Sequence, residues 1–135
     1  MENIVLKTDT IPSRDQILNL YANVGWTAYT KDPDLLERAI TKSLKLWTLW
    51  DDDQVIGLGR VVGDGESIIY IQDLLVLDNY QKMGLGTRLI QAILEEYKSI
   101  RQIVLLTDNT SKNIDFYKKN GLVEVSTYDC MAFIR

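Results

Sequence analysis

Two glycines, Gly84 and Gly86, stand where a strand-like segment gives way to a helical one. An apolar run ends at Leu77, and a pattern with one apolar helical face follows the glycines. The first N–H groups of a helix have no partner within it, and the helix dipole makes that end positive. Glycines keep side chains away from these groups, so an anion can reach the backbone. The pattern predicts a phosphate site; a tight turn that needs two glycines is the alternative.

Two polar residues, Gln72 and Asp73, interrupt the apolar strand that precedes this loop. Buried polar groups cost free energy unless they form hydrogen bonds, so they need a reason to be there. A carboxylate in this position can take a proton from a reacting group, or it can hold a neighbouring loop. Asp108, at the end of a later apolar run, is a further candidate for proton transfer.

Two motifs extend the pattern. The first is Gln81-x-x-Gly84-x-Gly86 between a strand and an amphipathic helix, and the second runs from Asn113 through Phe116-Tyr117 to Gly121-Leu122. Together, and in this order, they resemble the signature segments of the GNAT superfamily of acyl-CoA-dependent N-acyltransferases. The resemblance covers nearly the whole chain and is weakest over the first 45 residues.

The resemblance implies that acetyl-CoA is the co-substrate and that its acetyl group passes directly to a primary amine. The backbone of the strand around Leu75 would pair with the pantetheine and offer an N–H to the thioester oxygen, and the glycine loop would hold the pyrophosphate. Gln81, where the family often has arginine, keeps the backbone donors but loses a charge. The residues assigned to acetyl-CoA in this way are Leu74, Leu75, Val76, Gln81, Lys82, Met83, Gly84, Leu85, Gly86, Thr87, Asn113 and Tyr117.

By the same resemblance Tyr117 is the expected acid. Asn113 and Tyr117 are four residues apart on one predicted helix, so they share a face. A tyrosine with a pKa of about 10 can protonate a thiolate whose thiol has a pKa of about 8.5. The alternative is that Phe116 and Tyr117 only pack in the core.

The expected base is Asp73, with proton removal by Asp108 or through ordered water as open alternatives. Gln72 occupies the position where the family more usually has a glutamate, and an amide cannot accept the proton. Trp26, Tyr29 and Gln72 are the expected acceptor-binding residues, because the family's first two helices form much of that site.

Composition narrows the function classes. The chain has 135 residues, 46% hydrophobic and 25% charged, a net charge of −4 and no histidine. These values predict one soluble, globular domain spanning 1–135. Without histidine, a zinc site and a Ser-His or Cys-His pair are excluded. The sequence has no run of basic residues, which argues against general nucleic-acid binding. No apolar stretch is long enough to span a membrane. No secretory leader is recognisable, which predicts a cytoplasmic protein.

The remaining residues with potential chemistry have simpler interpretations. The acids Asp51 to Asp53 read as a solvated hairpin turn and not as a metal site, so no metal is expected. The single cysteine, Cys130, lies too late in the chain, in the last predicted strand, to suggest a nucleophile.

The predicted fold is α+β and GNAT-like, with a mixed central sheet of six to seven strands flanked by about four helices. Strands are predicted at 2–8, 46–50, 55–62, 67–77, 101–107 and, as one strand or a pair, 123–134. Helices are predicted from Ser13 to Gly25, from Asp32-Pro33 onward, from Gly84 to about Ser99, and from 111 to Gly121. Leu35, Leu36, Ile40 and Leu44 are the expected apolar face of the second helix, residues 26–29 a loop, and 101–107 a buried strand.

Two other functions remain open. A CoA-binding or protein-interaction module that has lost the chemistry is favoured by Gln72. A dinucleotide site is weaker, because Leu89 replaces the third glycine of that motif. The acceptor of an enzyme could be a small metabolite, an antibiotic, a peptide N-terminus or a lysine side chain. Family members are often dimers, so the resemblance also implies a possible homodimer.

Overall fold

The computed structural model describes residues 3–135, which fold around one five-stranded sheet in the order β1-β2-β3-β4-β5. The strands are β1 Ile4–Thr8, β2 Lys45–Asp51, β3 Gln54–Gly63, β4 Ile68–Val76 and β5 Gln102–Val104. Neighbours from β1 to β4 are antiparallel, and β5 is parallel to β4. A parallel neighbour requires a crossover, which a helix between β4 and β5 supplies.

Five helices accompany the sheet: α1 Arg14–Asn23, α2 Thr27–Thr30, α3 Pro33–Thr41, α4 Leu85–Glu96 and α5 Ser111–Lys119. Short 3-10 turns lie at Asp78–Tyr80 and Val125–Tyr128. Side-chain caps define several starts: Ser13 forms a capping box with Gln16 at α1, and Thr110 caps α5. None of the helices in residues 3–135 is long and apolar enough to cross a membrane.

The helices cover both faces of the sheet. Gly59 and its cross-strand partner Leu74 face α4, whose Ile93 lies 3.1 Å from the position of a Cβ on Gly59. The next pair, Arg60 and Asp73, points to the other face, where Arg60 contacts α3. Because both faces are covered, seven consecutive residues of β3 are buried.

The sequence expectation of six to seven strands is wrong, since the sheet formed by residues 3–135 has five strands. These residues form five helices where about four were expected. Residues 123–134 form no strand in the structure; they contain a 3-10 turn and are exposed. Residues 26–29, expected as a loop, include most of α2. Leu35 and Leu44 are exposed, and only Leu36 and Ile40 of the expected face are buried. The first strand was predicted from residue 2, which lies outside the described residues.

The strand expected to be buried at 101–107 is short and lies at the edge of the sheet. Only Gln102, Ile103 and Val104 pair with β4, and their burial is at most partial. The pairing stops at Tyr70 in β4, although β4 continues to Val76. Beyond that point the two parallel strands are no longer hydrogen-bonded neighbours, so the edge of β4 is open.

A β-bulge interrupts the pairing of β3 with β4 beside this opening. Arg60 pairs with Asp73 and Val61 pairs with Ile71, so Gln72 has no residue opposite it. Bulges leave the extra residue outside the regular ladder and can redirect its side chain. Gln72 is exposed, between the buried residues Ile71 and Asp73.

Candidate functional site

A groove of about 330 Å³ lies between the start of α4, the end of β4 and α5. Gly84 caps α4 in the left-handed conformation, with φ of 76°, and the first helical bond runs from the Arg88 N–H to the Gly84 carbonyl. The N–H groups of residues 85–87 therefore have no acceptor within the helix. A Cβ on Gly86 would be 3.5 Å from the Phe116 ring, so the glycine keeps the space between the two helices open.

The groove brings together every residue that the sequence assigned to acetyl-CoA except Met83. Met83 is 47% exposed and is not part of the lining. Three further residues line the groove: Tyr80, Lys112 and Phe116. Lys82 and Lys112 are both exposed at its rim and place two positive charges near the start of α4.

Gln81 has a structural role in the glycine loop. Its side-chain amide donates to the Val76 carbonyl over 3.0 Å and to Asp78 Oδ1 over 3.3 Å. Val76 is the last residue of β4, and Asp78 lies in the segment that joins β4 to α4. The side chain therefore ties the loop to the end of the strand and leaves the backbone donors of α4 free.

A second cavity, also of about 330 Å³, continues from the groove toward α1 and α2. It shares Leu74, Asn113 and Tyr117 with the groove. Its other lining residues are Trp26, Ile71, Gln72, Leu106, Thr107 and Asp108. Trp26 and Gln72 thus lie where an acceptor was expected, and Tyr117 lies where the two spaces meet.

Tyr117 is partly buried on α5, and its ring packs against Phe116 with the two centroids 5.0 Å apart. Burial raises the pKa of Tyr117, an effect that a hydrogen bond with Thr107 partly offsets. The phenol therefore stays protonated throughout the neutral range. A protonated hydroxyl at the junction can donate a hydrogen bond or a proton to a group that lies there.

Asp73 does not line the second cavity; it belongs to a buried network on the other face of β4. Its Oδ2 accepts from Arg60 Nε and from the Tyr21 hydroxyl, both over 2.7 Å, and its Oδ1 accepts from the Tyr29 hydroxyl over 3.3 Å. The side chains of Arg60 and Asp73 are 5% and 1% exposed. This placement differs from the expectation that Asp73 lies at the reacting amine.

The network nevertheless reaches the cavity wall through Tyr29. The Gln72 amide donates to the Tyr29 hydroxyl over 2.9 Å, and the same hydroxyl donates to Asp73. The Tyr21 ring packs against the Trp26 ring with centroids 5.9 Å apart and against the Tyr29 ring at 5.2 Å. Tyr29 is therefore a support for Gln72 and Trp26 and not part of the lining.

Burial and the neighbouring Asp73 carboxylate together determine the direction of the pKa shifts of Tyr21 and Arg60. Burial, together with the neighbouring carboxylate, raises the pKa of Tyr21 well above its ordinary value, so Tyr21 stays protonated and can donate to Asp73. Burial opposes the charge of Arg60, but Asp73 more than compensates, and the pKa of Arg60 is raised. Arg60 therefore keeps its charge in a desolvated contact with Asp73, and both partners form further hydrogen bonds.

Among the residues that sequence reasoning did not assign to the site are Arg60, Tyr21, Thr107 and Lys112. Arg60 had a signal, because it is the only charged residue in the apolar run 55–62 and the next strand contains a single acid, Asp73. The others had no distinct signal. No group of three His, Cys, Asp or Glu side chains positioned to hold a metal is found among residues 3–135.

A family model described as the acetyltransferase (GNAT) family matches residues 12–122. The chain therefore belongs to the GNAT acetyltransferase family.

Solved structures of other proteins are consistent with this family assignment. A GNAT family acetyltransferase from Streptococcus pneumoniae TIGR4 is 40% identical and superposes with a TM-score of 0.87, over 98% of this chain and 96% of that one. A GNAT family acetyltransferase from Elizabethkingia anophelis, with acetyl-CoA bound, is 19% identical with a TM-score of 0.64, over 90% and 76%. An aminoglycoside acetyltransferase from an uncultured soil metagenomic sample, in complex with sisomicin, is 16% identical with a TM-score of 0.72, over 99% and 96%. The last two show the fold alone.

The Arg60–Asp73 pair predicts strong energetic coupling. Asp73→Asn leaves a buried arginine without its counter-ion, and Arg60→Met leaves a buried carboxylate, so each should destabilise the fold by about 3–5 kcal/mol. The double variant should lose much less stability than the two single variants together, because it contains no unpaired buried charge. Urea unfolding of the four proteins measures the coupling.

The exposed pair Lys98 and Glu95 is the matched control. Lys98→Met and Glu95→Gln should change the stability little and additively, since surface pairs contribute little. Losses that are additive at Arg60 and Asp73 would show that the buried contact is not an ion pair of structural importance.

Proposed function

We propose that this protein is an acetyl-CoA-dependent N-acetyltransferase that acetylates a primary amine by direct transfer. The observation that carries the proposal is the continuity of the groove at the start of α4 with the cavity beside Trp26 and Gln72. One space can take a phosphate-bearing co-substrate and the other an acceptor. Tyr117 lines both, so the reacting atoms meet at its hydroxyl.

Acetyl-CoA fits the groove for two reasons. The free N–H groups of residues 85–87 can bind a pyrophosphate, and Lys82 and Lys112 add positive charge beside them. The open edge of β4 supplies backbone groups near Leu74 that have no strand partner on this side and can pair with an amide-bearing chain. The relative from E. anophelis was solved with acetyl-CoA bound, which supports the same co-substrate here.

The transfer requires a neutral amine, stabilisation of the thioester oxygen and protonation of the sulfur that leaves. The amine nitrogen forms a bond to the acetyl carbon as the carbon–sulfur bond breaks, and the electron pair of that bond goes to the thiolate. A backbone N–H of β4 stabilises the oxygen. Tyr117, protonated at neutral pH, donates its proton to the thiolate.

Asp108 is the proposed acceptor of the amine proton. Asp108 lines the cavity and is exposed. Both carboxylate oxygens of Asp73, in contrast, accept hydrogen bonds from residues outside the lining. Asp73 becomes a positioning residue that holds Tyr29, and through it Gln72. Solvent at the cavity mouth is the alternative route for the proton.

The acceptor is proposed to be a small cationic amine. Asp108 places a carboxylate at the cavity, and Trp26 offers an aromatic face, a combination that attracts positively charged groups. The soil acetyltransferase that shares the fold was solved with sisomicin, an aminoglycoside. A polyamine or amino sugar has the required chemistry.

A release assay over a panel of amines tests the function. Free thiol should form from acetyl-CoA in the presence of at least one small amine, and the product should carry one added acetyl group by mass. Gly86→Glu should abolish release and weaken acetyl-CoA binding by about tenfold or more in calorimetry, because the carboxylate repels the pyrophosphate.

Gln91→Glu, which adds the same charge on the exposed side of α4, is the control and should behave as wild type. Binding of acetyl-CoA without turnover for any amine would favour a binding module that lacks the chemistry, the function to which Gln72 pointed. Unchanged affinity in a folded Gly86→Glu variant would contradict the placement of the co-substrate.

Tyr117→Phe should lower kcat by about 10²- to 10⁴-fold while acetyl-CoA binding changes little, because only the hydroxyl is removed. Steady-state kinetics with the best amine measures this effect. Tyr97→Phe, which alters a tyrosine packed on Trp47, is the control. A kcat within twofold of wild type would show that Tyr117 packs in the site but donates no proton.

Asp108→Asn should lower kcat/KM for the amine most at low pH, where the amine is mainly charged and needs a proton acceptor. Asp115→Asn, a change of an exposed acid on α5 outside both spaces, should not do so. The pH–rate profiles of the two variants decide the point. An unchanged profile for Asp108→Asn would assign proton removal to solvent.

A further inference from the structure

The hydroxyl group of Tyr29 is shared by two adjacent residues of β4, Gln72 and Asp73. It donates to Asp73 Oδ1 over 3.3 Å, and it accepts from the Gln72 side-chain amide over 2.9 Å. Adjacent residues of a regular strand point to opposite faces of the sheet, so their side chains do not normally reach one atom. The bulge permits this contact, because it takes Gln72 out of the regular ladder.

Asp73 determines the direction in which the hydroxyl proton of Tyr29 points. The other oxygen of Asp73, Oδ2, accepts from Arg60 and Tyr21, and Tyr29 is the side-chain donor at Oδ1. The side chain of Asp73 is 1% exposed. If the Tyr29 proton turned away, a buried oxygen would lose this donor, which costs free energy. The proton of Tyr29 is therefore held on the side of Asp73.

The direction of the Tyr29 proton in turn fixes the orientation of the Gln72 amide. A hydroxyl group that donates its proton to Asp73 can offer only its oxygen to Gln72, so Gln72 must turn its NH2 group toward Tyr29. In the reversed amide, two oxygen atoms would face each other with no proton between them. The carbonyl oxygen of Gln72 is therefore directed away from Tyr29.

That carbonyl oxygen belongs to a residue of the cavity wall. Gln72 is exposed and lines the cavity, together with Trp26 and Asp108. The wall can therefore offer an amide oxygen and a carboxylate, and both accept hydrogen bonds. A primary ammonium group is a small cation with several N–H donors, which suits a wall of this kind.

We infer that Asp73, acting through Tyr29, orients the Gln72 amide so that its carbonyl oxygen accepts a hydrogen bond from the acceptor amine. Asp73 and Tyr29 act as positioning residues, and Gln72 contacts the substrate. A carboxylate at position 72 would have no N–H to donate to Tyr29, so the network requires an amide there. The identity of the ligand rests on the proposed function, whereas the orientation of the amide does not depend on it.

NMR spectroscopy of the isotopically labelled wild-type protein tests the orientation without any substrate. The side-chain NH2 signals of Gln72, identified by their absence in Gln72→Met, should show a strong nuclear Overhauser effect to the ring protons of Tyr29. In Tyr29→Phe these NH2 signals should shift, because the amide loses its partner. The signals of Gln91, which is exposed on α4, are the control and should stay unchanged. A Gln72 amide without the effect to Tyr29 would overturn the inference.

Steady-state kinetics with the best amine of the panel test the role of the carbonyl oxygen. Gln72→Met should raise KM for the amine by about tenfold or more, because a hydrogen bond to a charged group is lost, while KM for acetyl-CoA changes little. Tyr29→Phe should also raise KM for the amine. The double variant should be no worse than Gln72→Met, because Tyr29 acts through Gln72.

Gln91→Met, which makes the same change on the exposed side of α4, is the control and should behave as wild type. Additive effects of the two substitutions would show that Tyr29 acts independently of Gln72, which contradicts the inference. A KM for the amine within twofold of wild type in Gln72→Met would contradict it as well.

The results separate this inference from the proposed function. If amines are acetylated and the Gln72 variants behave as wild type, the activity stands and the inference fails. If no amine is acetylated, the proposed function fails, and addition of putrescine to the labelled protein decides whether an amine binds at Gln72. Shifts of the Gln72 amide signals that Gln91 does not share would support the inference, and unchanged signals would overturn it.

Discussion

The separation of β4 from β5 is the constraint on which the site depends. The two strands pair over three residues and then part, so β4 has no strand neighbour on this side from Ile71 to Val76. The Gln81 amide donates to the Val76 carbonyl, and the backbone groups before it can pair with a ligand or with water. The α4 start lies at one end of the opening and the aromatic residues of α1 and α2 at the other. The opening therefore determines both where a co-substrate can lie and how it approaches an acceptor.

The buried pair of Arg60 and Asp73 holds in place the side of this opening that contains Trp26 and Gln72. A desolvated ion pair is not a large source of net stability, because the loss of hydration offsets most of the attraction. Its geometric effect is larger: one carboxylate joins β3, α1 and α2 through Arg60, Tyr21 and Tyr29. The wall that contains Trp26 and Gln72 is thus fixed by contacts behind it, and an acceptor would meet an ordered surface.

The sequence predicted the lining of the groove at the start of α4 better than the surroundings of Asp73, for a physical reason. Most of the groove residues lie close together in the chain, between Leu74 and Thr87, and the glycines and helical periodicity around Gly84 specify their local structure. To predict the role of Asp73, one must know which face of the sheet its side chain is on and which residue of β3 lies opposite it. A bulge at Gln72 determines that pairing, and no residue pattern in the sequence predicts the bulge. The segment after Leu122 has strand-like composition, but strand formation needs a neighbouring edge, so composition alone predicted a strand that the chain does not form.

Because of the bulge in β4, two adjacent residues differ in how well they tolerate substitution: Gln72 tolerates it and Asp73 does not. Asp73 is enclosed by Arg60, Tyr21 and Tyr29, so a change there disturbs three elements at once. Gln72 has no residue opposite it on β3 and its side chain reaches the cavity, so a change there alters the wall and leaves the ladder intact. Under the proposed function, selectivity for the acceptor can therefore change under selection without loss of the folded state. A scaffold that separates these two demands would allow related proteins to evolve toward different amines.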